Sequence, residues 1–392
     1  MMENIKIPVG VAIRVDDVGW FEGADDRWKG LPSRSGLPRR HDPRDVLALG
    51  EVAKRLGSKI VCDIVLGEWD FNNRLRGEPH VTWDEAGWDA AKVVRQNREF
   101  FEKTFEALEE NEFLEYGVHG LLHGYYENGK QIHERFLYPF QRQDENGKWI
   151  VEPLPLDEFE RLLELYFAIY NDWGFKKPVP FFTAGNGAYG VPSDENNRAF
   201  ARILKKYGIK VFQWGGWPNR VEVQEGVIFT GSVHFIKTWN GFDLDPDLLP
   251  DCFVTKDGYR PRPNPSGHLT NFVQFQPEKN FETVDKWVSY FRRLTAPFGV
   301  MLSAGNLEAA SQTVYSDFAK VEKIDGGYRI DLSEVDSQDT EAIAKEFFVS
   351  LKGREMPVSC IGGSIFVHEC KQDHTIYRIV RDGSSAVTLV MQ

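Results

Sequence analysis

Over most of the chain, short apolar runs alternate with stretches in which apolar residues recur every three or four positions. The runs lie at 7–15, 59–66, 113–118, 179–182, 209–214, 227–229 and 271–275, with a last short one at 299–302. Their continuous hydrophobicity predicts strands buried on both faces. The stripes between them predict amphipathic helices: Val46, Leu49, Val52, Ala53 and Leu56; Phe101, Phe105 and Leu108; Phe159, Leu162, Leu163 and Tyr166; Phe281, Val284, Val288, Phe291 and Leu294. Asp157 with Glu160 has the spacing of a capping box, and Arg292 with Arg293 suits the negative end of the last helix.

Strands that alternate with helices imply a parallel sheet covered by helices, and seven or eight of them favour a distorted (β/α) barrel over an open sheet. A site would then lie at the carboxyl ends of the strands. Two insertions follow strand ends and should overhang that face. Residues 20–42 are rich in Gly, Pro and Arg, and residues 125–156 carry the turn signals Asn128-Gly129 and Asn146-Gly147. After position 312 the pattern changes to short alternating segments separated by Asp325-Gly326-Gly327, Gly362-Gly363 and Asp382-Gly383-Ser384. Two domains are therefore expected, a barrel over 1–312 and an accessory β-rich module over 313–392 with one helix near 339–351.

Composition narrows the function. A net charge of −12 lacks the basic footprint that nucleic acid or an anionic membrane requires. No apolar run approaches the length of a membrane span. The start of the chain shows neither a basic nor a long apolar segment, and the four cysteines have no paired metal spacing, so a cytoplasmic, reduced protein is expected. Export stays open for a chain that has lost a leader.

The chemistry concentrates in two short segments. Arg14-Val15-Asp16-Asp17 ends the first strand with adjacent carboxylates, and His119-Gly120-Leu121-Leu122-His123 follows the third. If those strands are parallel, both segments emerge at one end of the barrel. Imidazoles at i and i+4 can share one face of a helical turn, and an Asp with two His can bind one divalent metal, zinc by ligand type, while leaving positions for water and substrate.

This pairing resembles the polysaccharide deacetylase family, the homology domain of nodulation chitooligosaccharide deacetylases, over roughly residues 5–310. The resemblance implies that Asp17, His119 and His123 bind the metal and that Asp16 is the catalytic base. It implies a metal-dependent hydrolase acting on an N- or O-acyl group of a saccharide. Two positions depart from the family's pattern. The strand expected to supply an arginine that orients the base reads Pro180-Phe181-Phe182-Thr183-Ala184-Gly185-Asn186-Gly187, without one. Gln276 stands where the family's proton-donating histidine is expected, and an amide cannot serve as a general acid. His234 and His268 are the candidate substitutes, His268 being taken as catalytic together with Gln276. These departures keep two alternatives open: a metal-dependent lyase, isomerase or other amide hydrolase, and a saccharide-binding protein without turnover.

Tryptophans in predicted loops and strand ends, among them Trp20, Trp28, Trp69, Trp214, Trp217 and Trp239, suit the apolar faces of sugar rings. Trp20, Trp217 and Asn186 are expected substrate contacts. Between 27 and 44 lie Arg27, Lys29, Arg34, Arg39, Arg40 and Arg44 against Asp42 alone, so Arg39 and Arg40 are expected to bind an anionic saccharide.

Overall fold

A computed structural model describes residues 4–25, 34–133, 140–143, 146, 149–152, 155–183, 194–215, 220–235, 241–353 and 356–392. Seven parallel strands close on themselves: β1 (Arg14–Val18), β2 (Ile60–Val65), β3 (Leu114–Gly120), β4 (Phe181–Thr183), β5 (Val211–Gly215), β6 (Val227–His234) and β7 (Asn264–His268). The order round the ring is β5-β4-β3-β2-β1-β7-β6, and β6 pairs back onto β5. The fold is thus a (β/α) barrel with a β-rich C-terminal region.

Alternation along each strand sorts the side chains. Ile60, Cys62 and Ile64 of β2 are buried in a core that also contains the apolar stripes of α1 (Pro43–Leu56), α2 (Arg98–Glu109), α3 (Leu156–Trp173), α4 (Asp194–Lys206) and α5 (Val284–Leu294). The intervening positions face inward. Val61, Phe181, Val211 and Ile228 form one buried cluster with Tyr328, Phe347, Val349 and Ile379 of the C-terminal region. Farther along the same strands the inward positions become polar: Arg14 and Asp16, Asp63, His119, Gln213, Asn264, Ser266 and His268 are all buried.

The C-terminal region consists of two four-stranded antiparallel sheets. One takes in Ile5–Lys6 from the start of the chain, beside Glu346–Lys352. Helix α6 (Asn306–Phe318) runs without a break through 312 and 313. Its Gln312 donates to the carbonyls of Pro8 at 2.8 Å and Phe348 at 3.1 Å and accepts from Phe348 N at 2.9 Å, stitching barrel to sheet.

Several local expectations are corrected. The apolar run at 7–15 divides into Val9–Val11 and β1, which places both aspartates within a strand. Residues 300–302 pair with Val9–Val11 in a separate parallel ribbon outside the ring. The predicted strand at 271–275 is instead the end of a short helix, Leu269–Phe272, and the loop after it, and the seventh barrel strand is Asn264–His268. The hydrophobic pattern misled there because Phe272 packs on Phe235, Trp287 and Phe291, whereas the true strand reads Asn-Pro-Ser-Gly-His and lines a polar interior. The helix expected near 339–351 is replaced by the strand Glu346–Lys352, buried between neighbours at Phe347 to Leu351. At the start of α3 the N-cap is Pro155, which forms no side-chain cap; capping boxes occur instead at Asp42 and Asp45 on α1 and at His268 and Asn271 on the short helix Leu269–Phe272. Among the described residues no helix is long and apolar enough to cross a membrane, and all four cysteines are free thiols.

Candidate metal centre

Adjacent residues of a strand normally face opposite sides of a sheet. In β1 the register to β2 shifts between Val15 and Val18, and Asp17 has φ 63°, in the left-handed region. This bulge turns the Asp17 carboxylate to the side that Asp16 already faces. A second shift, opposite Ile64 and Val65, falls at the end of β3, where Gly120 has φ 132°. It turns the chain so that both His119 and His123 face Asp17. The two imidazoles therefore converge through a bulge and a turn, not through the helical turn expected from their spacing.

Asp17, His119 and His123 are buried, and one ligand atom from each lies within 4.8 Å of the others. His123 Nε2 is 3.3 Å and His119 Nε2 3.7 Å from Asp17 Oδ1. Such separations suit neighbouring ligands on one ion at metal–ligand distances of about 2.0–2.2 Å. The Nδ1 of His119 lies 3.1 Å from the carbonyl of Thr183; donation of its N–H there leaves the Nε2 lone pair directed at Asp17. Burial, reinforced by the neighbouring His123, lowers the His119 pKa to about 3, so the imidazole is neutral, as a ligand must be. Burial and the charge of Asp16 raise the Asp17 pKa, a cost that a cation would offset. The donor set fits a divalent ion.

Asp16 is held differently. Burial opposes its ionisation, but Arg14, followed by His119, His268 and His234, outweighs burial and keeps it below the usual carboxylate range. Arg14, only 1% exposed, donates from Nη2 to Asp16 Oδ2 at 2.8 Å, while its Nε lies 2.8 Å from Oδ1. The arginine missing from the fourth strand is thus matched by one on the same strand as Asp16. Its signal was in the sequence: a charged residue two places before Asp16, inside an apolar run, needs a buried partner.

His268 ends β7 in register with Asp16, and its Nε2 lies 3.9 Å from Asp17 Oδ2. His234, at the end of β6, stacks on His268 with ring centroids 5.6 Å apart and approaches Ser266 Oγ at 3.1 Å. Burial lowers the pKa of both rings. Gln276 is not brought to this site. It is exposed, immediately before the 3-10 segment Pro277–Thr283.

Trp20 is buried and meets His123 edge-on at 5.6 Å, and its indole N–H donates to Asp17 Oδ1 at 3.4 Å. It braces Asp17 and His123. Trp69 is buried in the helix layer. Arg39 binds Asp45 through two nitrogens, at 2.7 and 2.9 Å, and also the carbonyls of Gln274 and Phe275. Arg40 pairs with Glu22 at 2.8 Å and borders an outer groove of about 1200 Å³ shared with Phe21, Arg44 and Phe100. Asn186, Trp217, Trp28, Trp239, Arg27 and Lys29 lie outside the described residues, as does the side chain of Trp214.

No protein-family model matches the chain, and no curated protein does. Among solved structures it is similar to the Bc1960 peptidoglycan N-acetylglucosamine deacetylase, at 11% identity and a TM-score of 0.34, over 76% of this chain and 86% of that one. It is also similar to 4-alpha-glucanotransferase from Thermococcus litoralis, at 9% identity and a TM-score of 0.37, over 76% and 39%. A third is alpha-fucosidase from Thermotoga maritima, at 13% identity and a TM-score of 0.33, over 89% and 79%. With these TM-scores below 0.5, nothing about activity is taken from them.

Proposed function

We propose that this chain is a metal-dependent hydrolase that removes an N- or O-acyl group from a saccharide, in the manner of the polysaccharide deacetylases. The observation that carries this reading is the convergence of Asp17, His119 and His123 in one buried cluster, with Asp16 beside it and His268 across from it. Asp17 Oδ1 and the Nε2 atoms of both histidines would hold one divalent ion, zinc by ligand type, which supplies carbonyl polarisation and acidification of water. Asp16 takes the proton from the attacking water, since its carboxylate stays charged. His268 hands a proton to the departing nitrogen or oxygen. Burial lowers the pKa of His268, so it first receives the proton that Asp16 takes from the water, and both residues end the cycle as they began. Trp20 keeps Asp17 and His123 in place and walls them from solvent.

An anionic saccharide is the proposed substrate class. Arg40 is its proposed contact, because its side chain is largely exposed beside Glu22, whereas Arg39 is half-buried against Asp45 and main-chain carbonyls. Acetate release from N- and O-acetylated oligosaccharides, neutral and uronic-acid-containing, tests the proposal. Release should stop on chelation and return with added zinc. A metal-loaded protein that binds these saccharides but frees no acetate would instead be a binding protein.

A further inference from the structure

Beside Asp16 the barrel interior buries two further ionisable side chains, Arg14 and Asp63. Arg14 lies between two carboxylates, with its Nε 2.8 Å from Asp16 Oδ1 and 3.4 Å from Asp63 Oδ2. Asp63 comes from the next strand, β2, and is 0% exposed. Room for it is made on the strand beyond. Gly117 of β3 is the register partner of Asp63, and a Cβ on Gly117 would come 1.9 Å from Asp63 Oδ1. Any other residue at 117 would force that carboxylate out of its slot.

We propose that Arg14 and Asp63 are positioning residues that fix the Asp16 carboxylate, and that Gly117 is kept free of a side chain so that Asp63 can occupy its place. A buried ion-pair network of this kind is a poor way to gain stability, since well-packed apolar residues of similar volume commonly do as well or better. What it supplies is geometry. Nη2 donates to Oδ2 while Nε faces Oδ1, which leaves Asp16 little freedom to rotate, and Asp63 packs 3.4 Å from the same Nε, limiting where the guanidinium can move. This inference rests on Asp16 being the base, and it assigns the orienting role to β1 and β2 instead of the fourth strand.

The test uses the full-length, zinc-loaded protein and compares Arg14→Met, Gly117→Ala, Asp16→Asn and the Arg14→Met, Asp16→Asn double variant. Arg14→Met and Gly117→Ala should each lower kcat by about 10- to 100-fold, the usual effect of disturbing an orienting partner, with KM and metal content unchanged. Adding Arg14→Met to Asp16→Asn should cost nothing further, because Arg14 acts only through Asp16. A merely structural Arg14 would instead lower activity by the same factor in both backgrounds, and that result would overturn the proposal. Crystal structures of Arg14→Met and Gly117→Ala give a readout independent of turnover. The Asp16 carboxylate should be displaced while Asp17, His119 and His123 keep their places. An unmoved Asp16 in both would overturn the inference even in an active enzyme. Absence of acetate release by the wild type would count against the proposed function alone. Should Arg14→Met fail to fold, Arg14→Lys, which keeps the charge but not the paired contacts, replaces it with the same expectations.

Discussion

Asp16 and Asp17 are consecutive in a strand, yet both carboxylates face the same group of histidines, because Asp17 lies at φ 63° within a register shift. The left-handed region is tolerated by Asp and Asn better than by other side chains. Asp17→Asn should therefore fold normally and lose the metal, whereas Asp17→Ala should lose the metal and also about 1 kcal/mol of stability relative to the Asn variant. Elemental analysis with urea denaturation checks both parts. A metal-replete Asp17→Asn protein would contradict the ligand assignment.

Loss of both imidazoles should remove the ion more completely than either single change. The His119→Ala, His123→Ala variant is expected to hold no stoichiometric zinc after dialysis while keeping its circular dichroism spectrum. One zinc per chain in that variant would place the metal elsewhere.

Asp16→Asn should keep the zinc but lower kcat by roughly two to four orders of magnitude, the usual range for a positioned proton transfer. Unchanged turnover would exclude Asp16 as the base.

His268 and Gln276 should behave oppositely. His268 faces Asp17, and His268→Ala should lower kcat by about 100-fold or more. Gln276 is exposed outside the cluster, so Gln276→His should leave turnover as it is. A rate gain in the second variant would mean that the segment after β7 reaches the substrate.

Arg39 and Asp45 are expected to act on stability. Burial would raise the Asp45 pKa, but hydrogen bonds from His41 and Arg39 outweigh it and hold the carboxyl below the usual range. A folded pKa below the unfolded value of about 3.9 means that the stabilisation is complete above that pH and is lost as pH falls toward the folded value. The advantage of wild type over Asp45→Asn, measured by urea denaturation, should shrink steadily from about pH 4 to pH 2. A constant difference would show that the carboxylate charge contributes nothing. Arg39→Ala, which leaves Asp45 buried without its main cation, should cost about 3 kcal/mol. Arg40→Ala, at an exposed position, should leave stability unchanged and test saccharide charge alone.

Arg14 shows why part of the centre was hidden in the sequence. Motif order along the chain points to the fourth strand for an orienting arginine, but what matters is proximity across the ring, where β1, β2 and β7 are neighbours. The same limit sets the expected seventh strand, 271–275, several residues too late: Phe272 and Val273 are apolar because they pack outside the barrel, while Asn264 to His268 are polar because they line its inside. His268 was visible as a candidate, but its place across from Asp17 was not.

The sequence by itself determined the alternation of strands and helices, the parallel barrel, and the Asp-Asp and His-x-x-x-His segments, because periodicity and local spacing are written along the chain. Only the tertiary structure decided that Asp16 and Asp17 face the same way, that Arg14 pairs with Asp16 and lies beside Asp63, and that His268 rather than Gln276 reaches the cluster. Those relations depend on a bulge, on strand register and on closure of the ring, each of which is fixed by hydrogen bonds between residues far apart in sequence.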